Sequence, residues 1–345
     1  MGKVRSLKEF MEEPVYKDYL SKLPLIEIEM IGESDPEPFT MNPKTLLEGI
    51  KALGMGHIIA GAGLGRALAC HGAEVLNVWK PNEFEFNTTY LSADIGMRSC
   101  RINYKKPKGN EQVKELLKDA DIFFVNRRVK LMEEIGMTAE ECAKIRPGII
   151  YCNTSFAGNG GLWRDRVGYD QVAGVVTGMT VFDGTENEPM LPCINVVNDF
   201  IVSWLAAAGV IEALARRAKE GGSYRVHVSL CRTALWLMSL GIFDKKFVEE
   251  VAGTSGLHEE KMPELFTAKT PLGEYQGYTD QVKMSVLKEE YNPVLVPRGS
   301  SVPKWLVDGK EPEWHTEDPL ANIELIPFND IQQMIYKTYR DMGIM

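Results

Sequence analysis

Asp199 is the residue whose type and position point most clearly to catalysis in this sequence. It lies in the first turn of the longest apolar helical stretch, residues 198–219, directly after Asn198. Asn198 predicts an N-cap, and a carboxylate in the first turn is stabilised by the helix dipole, which is the commoner role for such an aspartate. The alternative is a desolvated carboxylate that acts as a nucleophile. The residue types alone leave both interpretations open.

Polar side chains end four of the predicted strands and form a second set of candidates. They are His57, Lys80, Asn126 and Asn153. The strands are continuous apolar runs that alternate with helical segments, a pattern typical of a parallel sheet covered on both faces. Ligands of such sheets bind beyond the carboxyl ends of the strands. We therefore expect these side chains to face a ligand-binding crevice.

Two familiar catalytic or cofactor motifs are incomplete. The glycines of residues 61–65 follow a strand, but Arg66 stands where the last glycine of a dinucleotide loop is needed. Lys80 ends the next strand where an acidic residue is needed, which disfavours a nicotinamide cofactor and favours glycines used for close helix packing. The sequence contains no Gly-x-Ser-x-Gly elbow and offers no candidate for a Ser/His/acid triad.

Composition excludes several classes of protein. The 345 residues are 44% hydrophobic and carry a net charge of −9, which excludes a disordered chain and argues against a nucleic-acid partner. The scattered cysteines and histidines predict reduced thiols, a cytoplasmic location and no metal site. Since no apolar run reaches roughly 20 residues, we expect no membrane span.

The order of predicted elements gives the fold class. We predict an α/β, Rossmann-like parallel sheet with helices on both faces, an N-terminal helical arm and an extended C-terminal return segment. The predicted boundaries are 1–45 for the arm, 46–255 for the Rossmann-like domain and 256–345 for the return segment. Predicted strands cover residues 51–56, 74–79, 122–126, 149–155 and 224–230. Predicted helices cover residues 61–72, 110–118, 138–145, 170–178, 198–219, 233–251 and 322–343.

Four ordered segments between Leu46 and Leu240 carry a family resemblance. They are LLEGIKALGMGHIIAGAGLGRALACHGAEVLNVWKP, MRSCRINYKKPKGNEQVKELLKDADIFFVNRR, IGMTAEECAKIRPGIIYCNTSFAGNGGLWRDRVGYDQVAGVVTGM and EALARRAKEGGSYRVHVSLCRTALWLMSL. Together they resemble the class III coenzyme A transferases, the group of formyl-CoA transferase, carnitine CoA-transferase and α-methylacyl-CoA racemase. The resemblance implies transfer of coenzyme A between an acyl-CoA and a carboxylic acid, with both as substrates and no permanently bound cofactor.

The resemblance also implies roles for individual residues. Asp199 falls on the family's nucleophilic aspartate, thirty residues after Tyr169, and would form a mixed anhydride and then an aspartyl-CoA thioester. This favours the nucleophile over the capping role. Lys80 falls near the coenzyme's phosphates. The other implied coenzyme A or substrate contacts are His57, Ile59, Ile102, Asn126, Arg127, Tyr169 and Leu230.

Two departures from the family pattern shape the expected partners. Tyr169 stands where the racemase branch has a histidine, which disfavours a racemase or dehydratase. Only about 25 residues separate Leu240 from the return segment at Phe266, so the family's small domain is expected to be missing. A partner chain would then close the site, either as an interlocked homodimer or as a heteromer with a longer paralogue. The alternative function is a non-catalytic subunit that binds coenzyme A or acyl-CoA.

Overall fold

A computed structural model describes residues 3–192, 196–241, 243–252, 263–279, 284–288 and 290–312. The chain divides into two compact units, residues 1–305 and 306–345. The second unit is described only at residues 306–312, where Val307 and Lys310 form an isolated antiparallel bridge. The strands named below all lie in the first unit. The predicted domain boundaries at residues 45 and 255 stay predictions.

The centre of the first unit is a seven-stranded sheet. Its strands are β1 Glu27–Gly32, β2 Lys51–Met55, β3 Glu74–Trp79, β4 Arg98–Arg101, β5 Ile122–Val125, β6 Ile150–Ser155 and β7 Ser223–Ser229. They lie in the order β1-β7-β6-β5-β2-β3-β4, and every pair except β1–β7 is parallel. The parallel strands have the Rossmann order, whose direction reverses between β2 and β5. The predicted fold class is confirmed.

Helices cover both faces of this sheet. The described α-helices of the chain are α1 Leu7–Glu12, α2 Ala60–Cys70, α3 Asn87–Ala93, α4 Pro107–Lys118, α5 Val129–Glu134, α6 Ala139–Ile145, α7 Asp170–Thr177, α8 Met179–Asp183, α9 Val197–Glu220, α10 Leu230–Ser239 and α11 Lys245–Ala252. In β5, Ile122 and Phe124 pack in the core beneath α2 and α9, whereas Phe123 and Val125 pack in the core beneath α4 and α6. A strand buried on both faces must be apolar throughout, which explains its sequence.

Several predicted elements differ in detail. The five predicted strands are found within one residue of their predicted ends, but β1 and β4 were not predicted. The single helix predicted over residues 233–251 was wrong, because α10 and α11 are separated at Gly241, whose φ of +90° suits glycine. In the return segment, β8 Leu265–Thr270 and β9 Gly273–Tyr278 form an antiparallel pair. The helix predicted over residues 322–343 lies outside the described residues.

The long helix α9 packs closely on α2. A Cβ added at Gly63 would lie 2.7 Å from the Ser203 Oγ, so glycine is required for this approach. The interpretation of the glycines as packing residues is therefore supported at this position. Among the described helices, α9 alone is long and apolar enough to cross a membrane, but more than half of its apolar window is buried inside the protein. A core helix passes the same test, so this is weak evidence for a membrane span.

Five of the six cysteines are buried, consistent with the prediction of core thiols. They are Cys70, Cys100, Cys142, Cys152 and Cys231. Burial raises the pKa of the Cys142, Cys152 and Cys231 thiols, so these groups stay protonated at neutral pH. Cys193 lies outside the described residues.

Candidate active site

A crevice with about 460 Å³ of empty space opens at the carboxyl ends of the central strands. Its walls come from the segments that follow β2, β5, β6 and β7, and from the starts of α7 and α9. Five predicted site residues line it: His57, Asn126, Tyr169, Asp199 and Leu230. Six further lining residues were not predicted: Ile58, Ala60, Thr154, Ser155, Phe156 and Gly168. The crevice lies at the reversal of strand order, where ligands of open α/β sheets bind.

Asp199 lies in the first turn of α9 and is 6% exposed. The N-cap of α9 is Val196, whose φ is +56° and whose side chain makes no capping hydrogen bond. The prediction that Asn198 is the N-cap was therefore wrong, because the N-cap lies two residues earlier and the helix already begins at Val197. An N-cap side chain normally accepts the N–H of the second or third helical residue, which here are Asn198 and Asp199.

Asp170 takes the place of the missing N-cap side chain. Its Oδ2 accepts the main-chain N–H of Asp199 at 3.0 Å, although Asp170 belongs to α7. Asp170 is 3% exposed, so two buried carboxyl groups lie beside one another. Burial raises the pKa of Asp199 to about 7, and the negative charge of Asp170 contributes. Burial also raises the pKa of Asp170, despite the N–H groups of Asp199 and Asn198 that favour its ionised form.

The loop between β2 and α2 is held by side chains from other segments. Asn126 Oδ1 accepts the His57 N–H at 3.1 Å, and Asn126 Nδ2 donates to the His57 carbonyl oxygen at 2.8 Å. Ile58 has a φ of +64°, and its N–H donates to Glu85 Oε2 at 2.9 Å. Such a backbone conformation persists for a β-branched residue only where its surroundings fix it. Asn126 therefore fixes the main chain of the loop at His57 through two hydrogen bonds.

The Glu83 carboxylate lies within 3.8 Å of side-chain nitrogens of three predicted site residues. It lies 2.6 Å from Arg127 Nη2, 3.8 Å from Lys80 Nζ and 3.5 Å from His57 Nε2. Burial lowers the pKa of His57 well below its usual range, and Arg127 and Lys80 lower it further. The imidazole is consequently neutral at pH 7. The family resemblance implied coenzyme A contacts for Lys80 and Arg127, but Glu83, whose carboxylate lies near both, was not predicted.

Arg298 adds a third cation to this region from a distant part of the chain. Its guanidinium carbon lies 4.7 Å from the ring centroids of both Trp79 and Tyr90, and its charge also lowers the pKa of His57. Cations on aromatic faces are held electrostatically without needing a carboxylate partner. Lys80, Arg127 and Arg298 thus all lie close enough to His57 for their charges to lower its pKa.

Four predicted site residues do not line the crevice itself. Lys80 and Arg127 lie with Glu83 as described. Ile59 is the N-cap of α2, and Ile102 is buried with its N–H on the Trp79 carbonyl oxygen at 2.8 Å. Within the described residues, no group of three or more His, Cys, Asp or Glu side chains is arranged to hold a metal ion.

Asp170 was the chief omission of the sequence analysis. Its sequence signal was present, since it follows Tyr169 and opens a predicted helix, but nothing in the local sequence shows that it reaches α9. The resulting pair consists of two buried carboxyl groups with raised pKa values, of which Asp199 lines the crevice. A carboxylate made more basic in this way is a stronger nucleophile or proton acceptor than a solvated one.

Comparisons with known proteins match this architecture. The model of CoA-transferase family III matches residues 47–271. An acyl-CoA transferase of Fusarium pseudograminearum is 28% identical over 56% of this chain and 47% of its own length. A succinyl-CoA:glutarate CoA-transferase of Homo sapiens is 29% identical over 58% of this chain and 48% of its own. A succinyl-CoA–L-malate CoA-transferase alpha subunit of Chloroflexus aurantiacus is 26% identical over 64% and 56%.

The crystal structure of Rv3272 from M. tuberculosis has a similar fold. Its TM-score is 0.54 at 22% identity, and the match covers 66% of this chain and 63% of that one. At this identity the likeness concerns the fold alone. The chain spans about half the length of the three curated relatives it matches.

Proposed function

The chain belongs to CoA-transferase family III, and from that premise we propose that it moves coenzyme A between an acyl-CoA and a carboxylic acid, with Asp199 as the acyl acceptor. One observation carries the proposal. The Asp199 carboxyl group lines the crevice at the strand ends, is 6% exposed and has a pKa raised to about 7. Desolvation and the neighbouring Asp170 make its ionised form unusually basic, which suits attack on a thioester carbonyl.

The proposed reaction balances without another reagent. Asp199 Oδ attacks the thioester carbonyl carbon, the C–S bond breaks, and a mixed anhydride and coenzyme A thiolate result. The thiolate attacks the Asp199 side-chain carbonyl carbon and releases the first acid, which leaves an aspartyl-CoA thioester. The acceptor carboxylate then attacks this thioester, and the released thiolate attacks the new acyl group. Asp199 is regenerated and the second acyl-CoA departs.

The remaining predicted residues, together with Arg298, are proposed to hold the coenzyme. Lys80, Arg127 and Arg298 supply the positive charge that its phosphates need. Tyr169 is 58% exposed at the start of α7 and is proposed to line the thioester pocket. The apolar contacts are proposed to come from Ile59, Ile102 and Leu230. Asn126 is proposed to act through the loop between β2 and α2, whose main chain it holds at His57.

The partner chain is also a proposal. Because only about 25 residues separate Leu240 from the return segment at Phe266, we propose that a second chain closes the crevice, in a homodimer or a heteromer. A cytoplasmic location is proposed from the scattered cysteines. The Chloroflexus relative is itself named an alpha subunit, which supports the heteromer. The same observation supports the second candidate function, a subunit that binds acyl-CoA without transferring it.

The decisive experiment is mass spectrometry of the full chain after incubation with a panel of acyl-CoA thioesters. The proposal expects the peptide that contains Asp199 to gain the mass of an acyl group or of coenzyme A. Asp199→Asn abolishes both the adduct and the exchange of coenzyme A between acids, while acyl-CoA binding is retained. Asp18→Asn, at an exposed position on the arm, is the matched control. Exchange that survives Asp199→Asn contradicts the proposal, and binding without any adduct or exchange favours the non-catalytic subunit.

A further inference from the structure

Three polar side chains form a hydrogen-bonded line beside the crevice. Ser155 Oγ lies 2.8 Å from His227 Nε2, and His227 Nδ1 lies 3.2 Å from Glu27 Oε2. The residues end β6, lie within β7 and begin β1, three neighbouring strands. This is the connectivity of a Ser/His/acid triad. The sequence offered no candidate for such a triad, because these three residues lie 72 and 200 residues apart in the chain.

Glu27 orients the imidazole of His227 through a hydrogen bond to Nδ1. His227 is 2% exposed, and Glu27 is its direct cross-strand neighbour in the β1–β7 register. The hydrogen bond to His227 lowers the pKa of Glu27, so the carboxylate is ionised at neutral pH. An ionised carboxylate accepts the Nδ1–H and leaves the Nε2 lone pair directed at Ser155. The imidazole is therefore oriented to take the serine proton.

Ser155 is open to the crevice and is placed next to a second donor. It lines the same crevice as Asp199 and is partly exposed. The Gly158 N–H donates to Ser155 Oγ at 2.8 Å, which helps to fix the position of that oxygen. A hydroxyl oxygen has two lone pairs, so one remains for attack on a carbonyl carbon. The serine has the geometry of an activated nucleophile.

We propose that Ser155 is a second nucleophile of this crevice, with His227 as its base and Glu27 as the positioning residue, and that it hydrolyses thioesters and activated esters of small carboxylic acids. The thioester substrate rests on the proposed function, whereas the nucleophile does not. Ser155 Oγ bonds to the carbonyl carbon and its proton passes to His227 Nε2. The C–S bond breaks and the thiolate takes that proton. Water then attacks the Ser155 ester, His227 relays its proton, and the free acid leaves.

Glu27, the acidic member of these three residues, lies outside the part of the chain that matches the family. The family match begins at residue 47, whereas Glu27 lies in the arm, and Ser155 and His227 lie inside the match. The arm also reaches the loop after β6, where Gly160 N–H donates to the Tyr19 hydroxyl at 2.9 Å. The arm therefore completes the triad and supports the loop that carries the Gly158 donor.

The test begins with a fluorophosphonate probe, which labels activated serines covalently. The full-length protein is incubated with the probe, and the labelled peptide is identified by mass spectrometry. The proposal expects label on Ser155, reduced at least tenfold in His227→Gln and in Glu27→Gln. Ser239→Ala, at the exposed end of α10, leaves labelling unchanged. Absence of label on Ser155 in the folded protein overturns the proposal.

Hydrolysis of p-nitrophenyl butyrate and of butyryl-CoA provides the second readout. Ser155→Ala is expected to lower both rates at least a hundredfold, whereas Ser239→Ala leaves both unchanged. Circular dichroism of Ser155→Ala establishes that the variant is folded, and Ser155→Cys supplies a thiol whose alkylation reports the same site. If hydrolysis persists in folded Ser155→Ala and is lost in Asp199→Asn, water attacks the aspartyl anhydride and the serine proposal is overturned. Failure of coenzyme A exchange with retained ester hydrolysis counts against the transferase alone.

Discussion

Asp170 Oδ2 accepts the main-chain N–H of Asp199 at 3.0 Å, so that one buried carboxylate caps the helix that carries the other. The arrangement couples structure to reactivity. The hydrogen bond fixes the first turn of α9, whose own N-cap residue is a valine. The charge of Asp170 simultaneously raises the pKa of Asp199. The same contact therefore stabilises the helix and makes its carboxylate more basic.

Asp170→Asn is expected to move the pH dependence of coenzyme A exchange to lower pH. Exchange in the unmodified protein should rise with pH through about 7 as Asp199 ionises. Removing the charge of Asp170 lowers the pKa of Asp199, so the midpoint falls below that value. The pH profile of kcat measures this shift. A midpoint that stays in place would show that Asp199 does not sense Asp170.

Asp170→Ala separates the capping role from the charge. Alanine lacks the acceptor for the Asp199 N–H, whereas asparagine keeps a carbonyl oxygen there. We expect Asp170→Ala to lower the free energy of unfolding by about 1 kcal/mol more than Asp170→Asn does. Urea titrations at one pH measure the difference. Equal stabilities would contradict the capping role.

Asp199→Asn is expected to stabilise the protein, and more so at high pH. The pKa of Asp199 is about 7 in the folded protein against 3.8 for the unperturbed group. The folded state therefore binds the proton more tightly, and its contribution to stability is lost as pH rises from about 4 through 7. Asparagine removes this cost, so its advantage in unfolding free energy should grow by roughly 2–3 kcal/mol between pH 5 and pH 8. Urea titrations at both pH values measure it, and a pH-independent difference would contradict the burial of Asp199 as an ionisable group.

Glu83→Gln and Arg127→Gln are expected to change coenzyme A affinity in opposite directions. Glu83 Oε1 lies 2.6 Å from Arg127 Nη2, so the carboxylate competes with a phosphate for this cation. Removing the carboxylate should tighten binding about threefold, and removing the guanidinium should weaken it about tenfold, with both effects shrinking as salt rises. Calorimetric titration with coenzyme A measures both. Arg216→Gln, in an exposed i,i+4 pair on α9, is the control and should bind like the unmodified protein.

Gly63→Ala is expected to destabilise the contact between α2 and α9. The new Cβ would lie 2.7 Å from Ser203 Oγ and 3.1 Å from Ser203 Cβ, and Ser203 is fully buried. Forcing these helices apart should cost about 1–3 kcal/mol of unfolding free energy. Gly174→Ala in α7 is the matched control, because its nearest neighbour would be at an ordinary 3.7 Å. Thermal unfolding of both variants decides between a tight helix contact and a loose one.

Much of the fold was predictable because strands buried on both faces are apolar throughout. The strand over residues 74–79 was predicted to the residue. The capping box at Thr138 and Glu141 was also readable, since both of its hydrogen bonds are local. By contrast, β1 lies at the sheet edge and none of its six residues is fully buried, so it lacks the continuous apolar run of the central strands. Its place beside β7 is fixed by pairing across about 200 residues.

The crevice-lining residues that could be predicted from the sequence are those that directly follow a strand. His57 and Asn126 follow the two strands that flank the reversal of strand order, and both line the crevice. Asn153 instead pairs with the Asn159 side chain through two hydrogen bonds of 2.6 and 3.0 Å. Pairs such as Asp170 with Asp199 depend on tertiary packing, which residue types and spacing do not reveal.

The antiparallel edge strand β1 also has a practical meaning for anyone trimming this protein. A fragment cut to residues 47–271, the extent of the family match, would lose the strand that covers β7. The main-chain N–H and C=O groups of β7 that pair with β1 would then be free to pair with strands of other molecules. Such a fragment should precipitate or form mixed aggregates on expression. In the full chain, β1 pairs with β7 from Ser223 to His227 and occupies that side of the strand.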